Sequence, residues 1–135
     1  MNSENRKIGM SGEKIARKYL EKKGYKIIET NFYCRFGEVD IIAQFNEELI
    51  FCEVKTRKQI KYGMAAESID CCKRKHIYKV AEFYIYLYRL YNLPISFDVI
   101  EVYIFEDKET RVEHIKNAII DNPYNTFLNR GWLWK

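Results

Sequence analysis

Two stretches of the chain alternate with the two-residue period of a β-strand, yet each sets charges on a face that otherwise reads as apolar. In the run from Gly37 to Ala43, Glu38, Asp40 and Ile42 share one face and Val39, Ile41 and Ala43 the other. In the run from Leu49 to Lys55, Leu49, Phe51, Glu53 and Lys55 share a face opposite Ile50, Cys52 and Val54. The polar break Phe45-Asn46-Glu47-Glu48 has the length of a hairpin loop. A two-residue loop (Asn46-Glu47) and a four-residue loop give the same register, with Asp40 opposite Glu53 and Glu38 opposite Lys55. A three-residue loop slips it by one and sets Asp40 opposite Val54.

Helical periodicity runs from about Asn5 to Lys23, with Ile15, Ala16, Tyr19 and Leu20 as the apolar face and Gly24 as the stop. Tyr25 to Tyr33 reads as a strand leading into the hairpin. Asp70 is the expected N-cap of a long helix reaching about Tyr91, with Ile77, Val80, Ala81, Tyr84, Ile85 and Tyr88 as its buried stripe. Pro94 opens a strand over Ile95 to Phe105, and a strand or turn near Arg111 to Glu113 leads to a short helix around His114 to Ile120. Helix, three strands, helix, strand predicts an α/β sandwich around a mixed sheet. The run Phe83 to Tyr88 with Leu90 and Tyr91 is apolar nearly all round, more than one core face requires, and points to a homodimer.

Like charges directly opposed on antiparallel strands, with Cβ atoms about 4.5–5.5 Å apart, destabilise the pair unless something sits between them. A divalent cation between Asp40 and Glu53 answers that need, and carboxylates on rigid strands suit Mg²⁺ (or Mn²⁺), a hard ion that keeps several waters and a substrate phosphate in its shell. Lys55, on the same face as Glu53, could then orient or deprotonate a water beside the phosphate. The arrangement reads as metal-assisted phosphodiester hydrolysis. The alternative is a solvated hairpin face carrying ordinary cross-strand salt bridges.

The chain has 135 residues, 47% of them hydrophobic, enough for one domain with its own core. No run of about 18 apolar residues exists to span a membrane, and Met1 to Lys7 lacks the apolar stretch of a secretory signal, so a cytoplasmic protein is expected. Cys34, Cys52, Cys71 and Cys72 then read as reduced thiols whose spacing is poor for zinc. The net charge of +4 is modest but clustered. Arg57, Lys58 and Lys61 follow Lys55 directly, and Lys73, Arg74 and Lys75 open the second long helix; both clusters are candidate phosphate contacts for nucleic acid, with a solvated loop and helix end as the alternative. Lys73 is on the inward stripe, where it either approaches a phosphate or snorkels past the core. His76 and His114 have no partner at ligand spacing and read as surface or satisfied core histidines. Asp98 reads as a fold-supporting acid paired with a neighbouring cation.

The ordered set Gly12-Glu13, Asn31, Gly37-Glu38-Val39-Asp40, Glu53-Val54-Lys55-Thr56-Arg57, Gly63, Lys73 and Phe97-Asp98-Val99 resembles the YraN-like family of small bacterial proteins, a branch of the PD-(D/E)xK, or restriction-endonuclease-like, nuclease superfamily. The likeness extends to about Ala118; Ser96 stands where the family usually carries Arg, which removes one cation from the rim of the site. The resemblance implies a restriction-endonuclease-like core over residues 1–120. Residues 121–135, with Trp132 and Trp134, form an extension expected to pack on the domain or on a partner. It further implies a metal-dependent endonuclease acting on DNA more than RNA, branched or damaged DNA included, in which Asp40, Glu53 and the Val54 carbonyl bind Mg²⁺. Lys55 positions the attacking water, Glu38 orients Lys55, and Glu13 holds an outer water or metal from the first helix. For Glu13 the alternative is a favourable charge near a helix N-terminus. The other classes open to the chain are a non-cleaving nucleic-acid-binding partner of recombination or repair enzymes, and an interaction domain.

Overall fold

A helix that begins at Ser3 ends at Lys22 because Gly24 turns the chain at φ +94. The Tyr25 N–H reaches back to the Leu20 carbonyl at 2.9 Å and the Gly24 N–H to Glu21 at 3.1 Å. These two bonds close the helix end in the pattern that favours glycine at that turn. The structure, a computed structural model, describes residues 3–58 and 71–118; for 3–11 and 71–76 only the helical backbone is described. In chain order the elements are α1 (Ser3–Lys22), β1 (Lys26–Cys34), β2 (Gly37–Phe45), β3 (Glu48–Lys58), α2 (Cys71–Tyr88), β4 (Ile95–Ile104) and β5 (Thr110–Ile115).

The strands form one open mixed sheet in the order β1-β2-β3-β4-β5. β3 and β4 run parallel and the other neighbours antiparallel. Between β2 and β3 the loop is Asn46-Glu47, both at positive φ (48 and 66), the geometry of a tight two-residue hairpin turn. It pairs Phe45 with Glu48 and Ile41 with Cys52, the register expected of that loop, but the ladder ends there, so the expected pairs Asp40–Glu53 and Glu38–Lys55 do not form. Among the described residues each face of the sheet carries one helix. Ala16 and Leu20 of α1 pack on Ile41, Ala43, Ile50, Cys52, Ile100 and Val102. On the other face Ile77, Tyr78, Val80, Ala81, Tyr84 and Ile85 of α2 cover Phe32, Val39, Ile42, Leu49, Phe51, Ile95 and Phe97. This is an α/β fold built from both faces of a sheet.

Three expectations need correction. Strict alternation along β2 fails, because Val39 packs with Ile42 under α2 while Ile41 and Ala43 pack under α1. The faces slip by one residue around Asp40. Asn31, between the pairs Thr30–Ile41 and Phe32–Val39 on β1, stands at φ 52, and the β1 register shifts again between Ile27 and Glu29. The segment near Arg111 is a full fifth strand, so His114 and Ile115 belong to β5 and not to a helix; residues 119–120 lie outside the described residues. Finally, α2 stops at Tyr88, one turn early, since Arg89 turns at φ 54 and the Leu90 N–H closes on the Ile85 carbonyl at 3.0 Å. Asp70, Gly63 and the extension with Trp132 and Trp134 also lie outside the described residues. No helix among the described residues is long and apolar enough to cross a membrane.

Candidate active site

β2 and β3 pair from the hairpin turn as far as Ile41 and Cys52. At the next position a side chain takes over from the backbone: the Val54 N–H donates to Asp40 Oδ2 at 2.7 Å. Beyond it β3 continues beside β4 to Lys58, paired with Ile104. Asp40 thus sits where the two strands part. Glu53, from the same stretch of β3, is 8% exposed, and the ammonium of Lys55 lies 3.7 Å from its Oε1.

Glu13 reaches this fork because α1 lies directly on β3. A Cβ at Gly12 would fall 1.8 Å from Thr56 Oγ1, so only glycine allows the approach. The Asn31 amide, oriented by its hydrogen-bond network, donates to Glu13 Oε2 at 3.2 Å and to Glu38 Oε1 at 3.1 Å. One neutral side chain therefore ties the helical acid to the strand acid. Glu13 and Asp40 border a cleft of about 270 Å³ between α1 and the strands, lined also by Lys14, Arg17, Thr30, Asn31 and Ile41. Burial, opposed by the Val54 N–H and reinforced by the charges of Glu13, Glu53 and Glu38, pushes the Asp40 carboxyl up to about 6. Four acids converge on a site with a low tolerance for further negative charge.

That is the environment a hard cation relieves. Among the described residues no three His, Cys, Asp or Glu side chains form a ready cage for an ion. Mg²⁺ does not ask for one, since it commonly takes one or two carboxylates and fills its shell with water and phosphate oxygens. Asp40 and Glu53, with the Val54 carbonyl beside them, have the donor chemistry for it.

The remaining expected residues divide. Arg57 Nε donates to Glu101 Oε2 at 2.8 Å, and the Tyr103 hydroxyl donates to the same oxygen at 2.6 Å. Glu101 stands in register with Lys55 on the neighbouring strand. Burial alone would raise its carboxyl, but the Tyr103 and Arg57 hydrogen bonds and the charges of Arg57 and Lys55 outweigh burial and hold it below its ordinary value. Lys58 is exposed at the end of β3, and Lys61 lies outside the described residues. Lys73, Arg74 and Lys75 are in the first two turns of α2, with side chains outside the described ones. Sequence reasoning missed Lys14, Arg17, Thr30 and Glu101. Arg17 had a legible signal, since it follows Glu13 by four residues on the same helix face.

Asp98 forms a separate buried network. It accepts hydrogen bonds from the Ser96 hydroxyl and, at 3.1 Å, from the Asn117 N–H, and His114 Nε2 lies 2.7 Å from its Oδ2. The His114 ring meets Tyr19 and Tyr25 edge-on. His114 is thus a satisfied core histidine, hydrogen-bonded to Asp98. Ser96, 4% exposed, belongs to this network and not to the rim of the cleft.

An open five-stranded mixed sheet with a helix on each face, carrying an acid and lysine cluster where two strands part, defines an α/β domain with an acidic cleft. Residues 12–102 match the uncharacterised protein family UPF0102, and the chain belongs to that family. It is 50% identical over 114 residues to a UPF0102 protein of Clostridioides difficile, covering 84% of this chain and 97% of the relative. A UPF0102 protein of Caldanaerobacter subterraneus is 45% identical over 121 residues, 87% of this chain and 99% of its own. One from Caldicellulosiruptor saccharolyticus is 40% identical over 116 residues, 86% and 91%. Glu13, Asn31, Glu38, Asp40, Glu53, Lys55 and Glu101 all fall inside the matched span, whereas His114 and Asn117 lie beyond it.

Proposed function

We propose that the protein is a metal-dependent endonuclease of the restriction-endonuclease-like, PD-(D/E)xK type, hydrolysing phosphodiester bonds of DNA, branched or damaged forms included. The observation that carries this reading is the convergence of Glu13, Asp40 and Glu53, with Lys55, on the fork between β2 and β3. Asp40, Glu53 and the Val54 carbonyl would hold Mg²⁺ or Mn²⁺. When bound, such an ion supplies Lewis-acid stabilisation of charge developing on the phosphate. Lys55, steadied by Glu53, positions the water whose oxygen bonds to phosphorus as the P–O ester bond opposite it breaks. The proton the water loses passes to bulk solvent, and the departing oxygen takes one from solvent. Glu38, held by Asn31, sets the charge around Lys55, and Glu13 holds an outer water from above the sheet.

The test is a panel of single-stranded, duplex, flap and four-way DNA with Mg²⁺ or Mn²⁺, run beside Lys55→Ala. Cleavage by the wild type and its loss of at least about a hundredfold in the variant is the expected result, the scale of removing one charge-stabilising donor. Equal cleavage by both removes Lys55 from the chemistry. Binding without cleavage under every condition favours the second reading, a nucleic-acid-binding partner of repair or recombination proteins. Three apolar side chains at the end of α2, Tyr86, Leu87 and Tyr88, are at least half exposed. They support a second copy packing there.

A further inference from the structure

Tyr33 is 77% exposed, on the face of the sheet against which α1 packs. Its neighbour Phe32 is buried under α2, so alternation turns Tyr33 to the opposite face, the face of α1. It pairs across the strands with Glu38, and residues so paired lie side by side. Glu38 is in turn tied through Asn31 to Glu13 at the mouth of the cleft. An aromatic ring therefore stands in water immediately beside the acid cluster. On the helical wall of the same cleft are two cations, Lys14 and Arg17. Neither forms an ion pair with a described residue. Cations that track a backbone, together with an exposed ring on which a base can lie, are the two elements of a single-strand site. A base inside a duplex has both faces stacked on its neighbours and cannot use such a ring.

We propose that the cleft takes an unpaired strand of nucleic acid, with Lys14 and Arg17 on its phosphates and Tyr33 stacked on a base beside the acid cluster. The inference rests on the hydrolase reading only for the chemistry that follows binding. It makes the substrate a single strand, or the unpaired part of a branched one.

The experiment is fluorescence anisotropy of the full chain in EDTA, with a labelled single-stranded deoxyoligonucleotide, its RNA counterpart and the fully paired duplex. The single strand should bind more tightly than the duplex. Tyr33→Ala should weaken single-strand binding about 5- to 100-fold, as loss of one stacked base does, while Tyr33→Phe retains it and duplex binding is unchanged. Lys14→Ala and Arg17→Ala should each reduce the slope of log K against log salt by about 0.7. A duplex bound as tightly as the single strand, or single-strand binding indifferent to Tyr33→Ala, overturns the proposal. Which of DNA and RNA binds more tightly identifies the source of the strand. Tyr33-dependent binding with no cleavage in Mg²⁺ or Mn²⁺ sinks the hydrolase reading and leaves this one standing. Cleavage that ignores Tyr33 sinks this one alone.

Discussion

The Val54 N–H, where β2 and β3 part, donates not to a backbone carbonyl but to Asp40 Oδ2, at 2.7 Å. A side chain that replaces a ladder bond is fixed as firmly as the strand it serves. The same bond sets Asp40 among other acids, and that placement has a measurable cost.

The Asp40 carboxyl is raised from 3.8 to about 6, by burial first and then by Glu13, Glu53 and Glu38. A raised acid is favoured in its neutral form by the fold, so the folded protein binds more protons than the unfolded chain between about pH 4 and pH 6. Stability should therefore fall as pH rises through that window, by about 3 kcal/mol in all, and stay low above it. Asp40→Asn keeps an acceptor for Val54 and removes the charge. In EDTA it should be more stable than the wild type at pH 7, by up to about 3 kcal/mol, and should lack the slope. Urea unfolding at pH 4.5 and pH 7 makes the comparison. Equal slopes for the two proteins would show that Asp40 is not the strained acid.

Gly12→Ala tests how closely α1 lies on β3. In an open helix the change stabilises by about 1 kcal/mol. Here the new methyl falls 1.8 Å from Thr56 Oγ1, and overpacking of that kind costs about 1–3 kcal/mol. The clash outweighs the propensity, so the variant should melt lower than the wild type. Thr56→Ala in the same chain should recover part of the loss, since Thr56 Cβ would remain 3.0 Å from the methyl. A higher melting temperature for Gly12→Ala would mean that α1 does not touch β3 there.

How much of this was legible follows from where each constraint originates. The end of α1 at Gly24 and the Asn46-Glu47 turn are local, written in one or two residues whose backbone preferences decide the matter. The register from Ile41–Cys52 to Phe45–Glu48 follows from that turn. The face slip at Asp40 is not local. It depends on Asn31 taking a left-handed conformation on β1, which the pattern of β2 cannot reveal. Glu101 beside Lys55 was likewise hidden, because a parallel pair joined through a helix has no turn to fix its register. The fifth strand was short and half-exposed, with only Val112 and His114 turned inward, and its identity depended on the distant Asp98.

The exposed end of α2 predicts self-association. Tyr86, Leu87 and Tyr88 are 64%, 50% and 51% exposed, while Tyr84 and Ile85 beside them are buried. Three consecutive large apolar side chains in water are costly unless covered. Sedimentation equilibrium should show a dimer that Leu87→Glu dissociates without lowering helical content. A wild-type monomer at high concentration removes the dimer.

Asp98 should be the acid whose loss harms the fold without touching the cleft. Its carboxylate serves three donors from two segments: the Ser96 hydroxyl, the Asn117 N–H and the ring of His114. Asp98→Ala leaves the Asn117 N–H and the His114 ring without this acceptor and the Ser96 hydroxyl with only the longer contact to Asn117 Oδ1 at 3.3 Å, and a network broken in this way costs on the order of 3 kcal/mol. His114→Ala removes one partner and its ring contacts with Tyr19 and Tyr25, and should cost less. Chemical denaturation gives both values. In the folded fraction, calorimetric titration with Mg²⁺ should find binding retained by Asp98→Ala and lost in Asp40→Asn. The reverse order would move the cation site to the Asp98 network, on the same face of the sheet, and would require the roles of the two acids to be exchanged.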